Sequence, residues 1–380
     1  MLFVSLPLMV TWLLGLVSLG LFGGGVYLLW ASYVGVLEQP AWLLVSLLTT
    51  LWTFAGRWIV LRLRRPAPDE PRHARRGLVD LIERMDGSGL HVELDGPVDG
   101  PPVVLTHTEG MTSTAWHYQK RRLAERFRSI VWDLPGCGRS RGPATGDYRL
   151  EKLARDLDAV VALAGGRPAI LVGHGLGGVV ALAFCALFPE KVGREVAGLV
   201  LIDTPHPAPG RPTRGARTAH VLGTLGLMAM LHATIWLSPL LMLMSWLAYH
   251  NGLLHLGAMV LGFAGRESRG QLDFAASFVP LASPATRARM ALAMRRRVPA
   301  SALARIDVPT IVVTGDSDRL APPDAARRLA SALPRATLLT LRPAGHLSPI
   351  EQHESLNRAL VAFTSEHGAV DLGSASRRRR

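Results

Sequence analysis

Two kinds of hydrophobic pattern divide this chain. From Met1 to Leu37 no side chain is charged, and a second uncharged run follows from Gln39 to Gly56. About 20 apolar residues span a bilayer as a helix, so the first run is ample and the second nearly sufficient. Glu38-Gln39-Pro40 between them predicts a tight turn, and the pair predicts a transmembrane helical hairpin over 1–65. The first run exceeds a secretory h-region, with neither a basic n-region nor a convincing cleavage site. Arg57, Arg62, Arg64 and Arg65 close the second helix, and a Pro/Arg-rich linker follows at 66–76. Beyond it, short apolar runs alternate with longer amphipathic ones, the mark of an α/β sheet. Strands are predicted at 78–82, 91–94, 103–107, 129–133, 169–172, 196–202, 310–313 and 336–341, with helices at 150–164, 176–188, 323–333 and 351–365.

The alternation breaks once. About 100 residues separate the strand ending at Asp203 from the run starting at Val308, too long for a plain connection. Its middle, Thr218 to Gly265, contains no Asp, Glu, Lys or Arg, but carries His220, His232, His250 and His255. Met228, Met230, Met242, Met244 and Met259 make it soft and adaptable. The pattern predicts a helical cap over 205–305, inserted between core segments 77–204 and 306–368. Its apolar helices are expected to pack on the sheet domain. The sharper expectation is a lid that lines an acyl-sized pocket or dips into the membrane surface. A third span would put the two halves of one sheet on opposite sides of the bilayer.

Charge and cysteine usage narrow the partners. Net charge is +13, yet Lys120, Lys152 and Lys191 are the lysines among 42 basic residues, an arginine bias without a basic stripe interleaved with aromatics. No nucleic-acid partner is expected on that basis. Cys137 and Cys185 form neither a disulfide framework nor a metal pattern, which suits a reducing compartment. Arginines at the end of the second helix place the large domain and both termini on the cytoplasmic side of a multi-pass membrane protein. The basic tail, 369–380, with its Arg377–Arg380 run, reads as a solvated segment with an option of contacting anionic lipid.

Candidate chemistry gathers at the strand-to-helix segment Ile170 to Gly178. Its Gly173-His174-Gly175-Leu176-Gly177 has the frame of a G-x-S-x-G turn, which thrusts a nucleophile out over a sheet. Here Gly175 stands where the serine would be. Four further segments share the context: Leu105-Thr106-His107 at a strand end, the loop Asp133-Leu134-Pro135-Gly136-Cys137-Gly138-Arg139-Ser140, and the pair Gly315-Asp316-Ser317-Asp318-Arg319 and Ala344-Gly345-His346. Over about residues 78–366 the chain resembles the α/β-hydrolase family, of the kind with an N-terminal membrane anchor and a helical cap. The resemblance implies a mostly parallel sheet flanked by helices, with Asp318 as the acid and His346 as the base, in the chain order of that fold. Such a carboxylate fixes the imidazole tautomer and stabilises the imidazolium. Asp203, in Asp-Thr-Pro, is the runner-up acid and is otherwise a turn residue.

The departures fall on one function. Gly175 has no side chain, so no acyl-enzyme can form there. Thr108 stands where the oxyanion turn usually has glycine, a Cβ that the required backbone disfavours. Glu109 follows at the position whose N–H would help bind an oxyanion, beside the Leu176 N–H, and its carboxylate would oppose the developing charge. Removal of the serine side chain should leave room for a water. Cys137 lies on another loop, Cys185 reads as core, and His174 as a structural neighbour. The family implies hydrolysis of an apolar ester or amide-type small molecule, here without serine-type catalysis. Alternatives are a pseudo-hydrolase that binds a lipid-like ligand or a partner, and a His346–Asp318 base catalyst without a covalent nucleophile. The expected partners are a small apolar substrate or ligand and membrane lipid. No metal or organic cofactor is implied, because neither a ligand cluster nor a phosphate-binding glycine loop is present.

Overall fold

A computed structural model describes residues 2–74, 77–205, 214–296 and 298–368; the 369–380 tail lies outside the described residues. Among these, eight strands make one sheet: β1 (Leu78–Glu83), β2 (Gly89–Asp95), β3 (Pro102–Thr106), β4 (Arg128–Trp132), β5 (Ala169–His174), β6 (Val196–Ile202), β7 (Thr310–Gly315) and β8 (Ala336–Leu341). Their order is β1-β2-β4-β3-β5-β6-β7-β8. The lead-in hairpin β1–β2 is antiparallel and β2 meets β4 antiparallel, while all later pairings are parallel. Central strands read as unbroken apolar runs because both faces are covered, and β3, β5 and β6 are buried along their whole length.

Before the sheet come α1 (Leu2–Tyr33) and α2 (Pro40–Arg62), then along the sheet α3 (His117–Leu123), α4 (Leu150–Val161) and α5 (Leu176–Leu187). The insertion between β6 and β7 holds α6 (Arg214–Trp236), α7 (Ser238–His250), α8 (Leu253–Leu261), α9 (Arg269–Leu281), α10 (Pro284–Ala293) and α11 (Ala300–Leu303). After it run α12 (Pro323–Ala332), α13 (Ser348–Glu351) and α14 (His353–His367). One face of the sheet packs on α4 and α5 through Leu153, Leu157, Val180 and Phe184. The other packs on α3 and α14 through Leu123, Leu356 and Phe363.

Among the described residues, two helices are long and apolar enough to cross a membrane, Leu6–Tyr33 and Pro40–Arg62. They do not stand clear of the domain. Trp12 Nε1–H donates to Thr234 Oγ1 at 2.9 Å, and Asn251 Nδ2–H donates to Ser18 Oγ at 2.8 Å. Leu8 packs with Leu231, Ala288 and Ala291. The Arg57 guanidinium lies 4.2 Å from the Trp58 ring and 4.9 Å from the Tyr249 ring. The cap thus rests on the hairpin as well as on the sheet, and α6 and α7 meet at a bend of 88° from Gly223–Trp236 to Ser238–His250. Trp236, Leu240, Leu243 and Trp246 on these helices stay exposed, like Leu13, Leu16, Leu47 and Leu51 of the hairpin.

The described part of the 66–76 linker is pinned rather than free. Glu70 accepts from Ala67 N (2.6 Å) and from Ser268 Oγ (2.5 Å), Tyr118 OH donates to the Asp69 carbonyl (2.8 Å), and Lys120 Nζ donates to the Ala74 carbonyl (3.2 Å). Arg64 pairs with the buried Glu267 at 3.0 Å. These contacts fix the direction in which the hairpin leaves the sheet domain.

Candidate active site

The elbow keeps its strained backbone although no nucleophile side chain stands on it. Gly175 sits at φ +53°, ψ −115° between β5 and α5, a conformation that L side chains rarely adopt. A Cβ on Gly177 would come within 2.1 Å of the Thr106 carbonyl oxygen, so α5 can approach β3 only with hydrogen there.

Across from the elbow, the acid and histidine loops converge. Asp318 is held by its own turn, with Oδ1 accepting from Leu320 N (2.7 Å) and Ala321 N (2.8 Å). Its Oδ2 accepts from His346 Nδ1–H at 2.9 Å, which leaves Nε2 to face the site. Asp316 instead accepts from Ala344 N at 3.0 Å and stays exposed. The histidine loop is tied to the cap: Leu347 N donates to the Gly262 carbonyl (2.9 Å), and Glu351 accepts from both Gly345 N and Ala264 N at 2.8 Å. Burial opposes the imidazolium of His346, but the charge and hydrogen bond of Asp318 outweigh it, with Asp203 and Glu109 adding, and its pKa rises to about 9.

Asp203 is more than the turn residue expected from Asp-Thr-Pro. Among the described residues it is the non-glycine with positive φ (45°). It is buried, with Oδ1 accepting from Gly315 N (3.0 Å) and Oδ2 from Ser348 Oγ (2.6 Å). Burial first and then the Asp318 charge push its carboxyl up to about 8, so it is largely protonated at neutral pH. His174 Nε2–H donates to the His346 carbonyl (3.0 Å), and burial drives its pKa down to about 3, which keeps it neutral. Ligand atoms of His174, Asp203 and His346 lie within 4.8 Å of one another. Both Asp203 oxygens and His346 Nδ1 are already engaged inside the protein, so the trio reads as the polar floor of the site.

The nucleophile side departs from the expectation in one respect. Room for a water beside Gly175 is not what the structure shows: a Cβ built there would lie 2.2 Å from Thr108 Oγ1 and 2.8 Å from Thr108 Cβ. The threonine side chain fills the space that a serine at 175 would take. Nor is the Thr108 backbone in the left-handed region that would favour glycine. Its hydroxyl accepts from Leu176 N–H (3.2 Å), the expected oxyanion donor, and donates to Glu109 Oε2 (2.5 Å). Glu109 therefore folds back onto its neighbour. His107 locks this loop, with Nδ1–H donating to the Thr108 carbonyl (2.7 Å) while Nε2 accepts from Leu134 N–H (2.9 Å).

Sequence reading missed one cap residue here. Arg287, half-buried on α10, lays its side chain against Gly110 and within electrostatic reach of Glu109. A lone arginine in a helix of the insertion carries no motif that would have marked it. Cys137 and Cys185 are buried, and burial pushes both thiols up to about 12, far from a reactive thiolate. Beside the elbow, His107, Met111, Trp116, His174, Leu347 and Ile350 line an apolar cavity of about 10 Å³, room for roughly one water and not for an acyl chain.

Comparison with known proteins agrees with this fold. Residues 103–359 match the model of the alpha/beta hydrolase family. A protein of Variovorax paradoxus named "Putative carbamate hydrolase RutD" is 30% identical over 74% of this chain and 97% of its own. A solved hydrolase from Pseudomonas aeruginosa PA01 superposes with a TM-score of 0.61 at 23% identity, over 76% of this chain and 99% of that one. A bacterial membrane phospholipase A superposes with a TM-score of 0.58 at 22% identity, over 92% of this chain and 99% of its own. With the strand order, the elbow and the family match in agreement, this chain belongs to the alpha/beta hydrolase family.

Proposed function

We propose that this protein is a membrane-anchored hydrolase that cleaves an apolar ester, amide or carbamate-type small molecule without an elbow serine. The observation that carries the reading is the intact His346–Asp318 pair at 2.9 Å, held against an elbow whose nucleophile position bears only hydrogen. A positioned acid–base group of this kind contributes about 10²–10⁴-fold to rate. The name of the Variovorax relative supports carbonyl chemistry. The apolar hairpin and the exposed Trp236, Leu240, Leu243 and Trp246 of the cap support a domain lying on the cytoplasmic face, with lipid against the cap and substrate arriving from the bilayer.

One observation favours a second reading. The Thr108 side chain occupies the vacated nucleophile space and caps the Leu176 N–H, as a pseudo-hydrolase that merely binds a lipid-like ligand or a partner would permit. Hydrolysis of short- and long-chain esters by the full-length protein in detergent, beside His346→Ala, separates the two. Turnover that drops by roughly 10² or more in the variant supports the hydrolase. No turnover in either protein supports the binding role.

A further inference from the structure

The nucleophile space is not empty; it holds a hydroxyl with the partners that a nucleophile needs. Thr108 Oγ1 stands 2.2 Å from the point where a side chain at 175 would begin. Its proton is directed at a carboxylate, Glu109 Oε2, at 2.5 Å. Its lone pair faces the Leu176 N–H at the start of the 12-residue α5, where the helix dipole favours a developing alkoxide. The residue is 6% exposed and its carbonyl is clamped by His107, so the hydroxyl is presented by a locked loop. A helix cap requires only the lone pair. A proton acceptor on the opposite side of the hydroxyl is the additional requirement of a nucleophile.

From this juxtaposition we propose that Thr108 Oγ1 is the nucleophile of the site, with Glu109 as its base and His346 as the proton donor to the leaving group. The proposal rests on the hydrolase reading above. In the first half-reaction Oγ1 bonds to the substrate carbonyl carbon as its proton passes to Glu109. The carbonyl π pair moves onto oxygen, then returns as the bond to the leaving group breaks. The departing oxygen or nitrogen takes a proton from the His346 imidazolium, and an acyl-threonine remains. In the second half water attacks that acyl carbon and gives a proton to His346, while Oγ1 leaves and reclaims its proton from Glu109. Substrate plus water becomes acid plus alcohol or amine, and all three side chains return to their starting state. Leu176 N–H lies 3.2 Å from Oγ1, next to the carbon that bears the nascent oxyanion.

The test uses p-nitrophenyl butyrate and the full-length protein in detergent, with Thr108→Val, Thr108→Ser and Glu109→Gln, each checked for folding by thermal unfolding. Turnover that falls by roughly 10²-fold or more in Thr108→Val and persists in Thr108→Ser, with a butyryl adduct on the residue-108 peptide after acid quench, supports the proposal. Wild-type turnover in folded Thr108→Val, together with its loss in His346→Ala, overturns it and makes water the nucleophile, while the hydrolase reading stands. No turnover by the wild type on any ester of the panel overturns both.

Discussion

The two halves of this site have fared differently. On the acid–base side, Asp318 and His346 keep the pairing that the fold's chain order implies, each held by backbone amides of its own loop or by a cap contact. On the nucleophile side the backbone is kept but the side chains are replaced: Gly175 retains the strained elbow, and Thr108 and Glu109 fill the space in front of it. The difference shows that elbow geometry and elbow chemistry are separable. The turn answers to packing of α5 against β3 and β5, which would fail with a Cβ on Gly177, whereas the occupant of the site answers to whichever residue reaches it.

The largest effect that would sharpen this contrast comes from restoring the serine. Gly175→Ser alone puts a Cβ 2.2 Å from Thr108 Oγ1, overpacking of a kind that costs about 1–3 kcal/mol, and residue 175 should remain unlabelled by a fluorophosphonate. Gly175→Ser with Thr108→Gly removes the clash and should label at residue 175. Labelling at residue 175 in the single variant as full as in the double would break the claim that Thr108 occupies the nucleophile's place.

A middle-sized effect concerns the charges of the acid–base half. Asp203 holds its proton up to about 8 and His346 up to about 9. A carboxyl with a raised pKa binds more protons folded than unfolded, so stability falls as pH climbs through about 8. The contribution of His346 is complete below its unfolded value of 6.5 and is lost as pH rises through about 9. Both signs agree, and thermal unfolding in detergent should show a declining midpoint between pH 7 and 9. Asp203→Asn should flatten the lower part of that decline; an unchanged slope would remove Asp203 from the titration.

The smallest effect isolates the tether of the histidine loop. Glu351→Gln keeps the shape but leaves one of the Gly345 and Ala264 amides facing an NH₂ group, a loss of about 1–3 kcal/mol. Esterase activity that depends on His346 should fall several-fold, whereas fluorophosphonate labelling of the serine-restored double variant should change less. Equal losses in both assays would mean that the two halves are mechanically one unit.

Much of this was legible in the residues themselves. Uninterrupted apolar runs at 103–105, 169–172 and 196–202 and the Gly-x-Gly-x-Gly frame specify buried parallel strands and a strand-to-helix turn by local physics alone: periodicity, β-branching and the absence of a Cβ. The two uncharged N-terminal runs announce helices of membrane length for the same reason. What the pattern along the chain did not reveal is which side chain would enter a space left by another. Thr108 meets Gly175 and Leu176 at the ends of the neighbouring strands β3 and β5, some 68 positions apart in the chain, and its hydroxyl takes its role from where β3 ends and α5 begins. Asp203 read as a turn residue because its carboxylate partners, Gly315 and Ser348, lie more than a hundred residues downstream. The cap's arrival at the site, through Arg287, Gly262 and Ala264, likewise carried no sequence mark. Hydrophobic periodicity acts between near neighbours and so determined the elements and their order. Volume exclusion and burial of charge act between residues that only the tertiary fold brings together, and they decided what occupies the site.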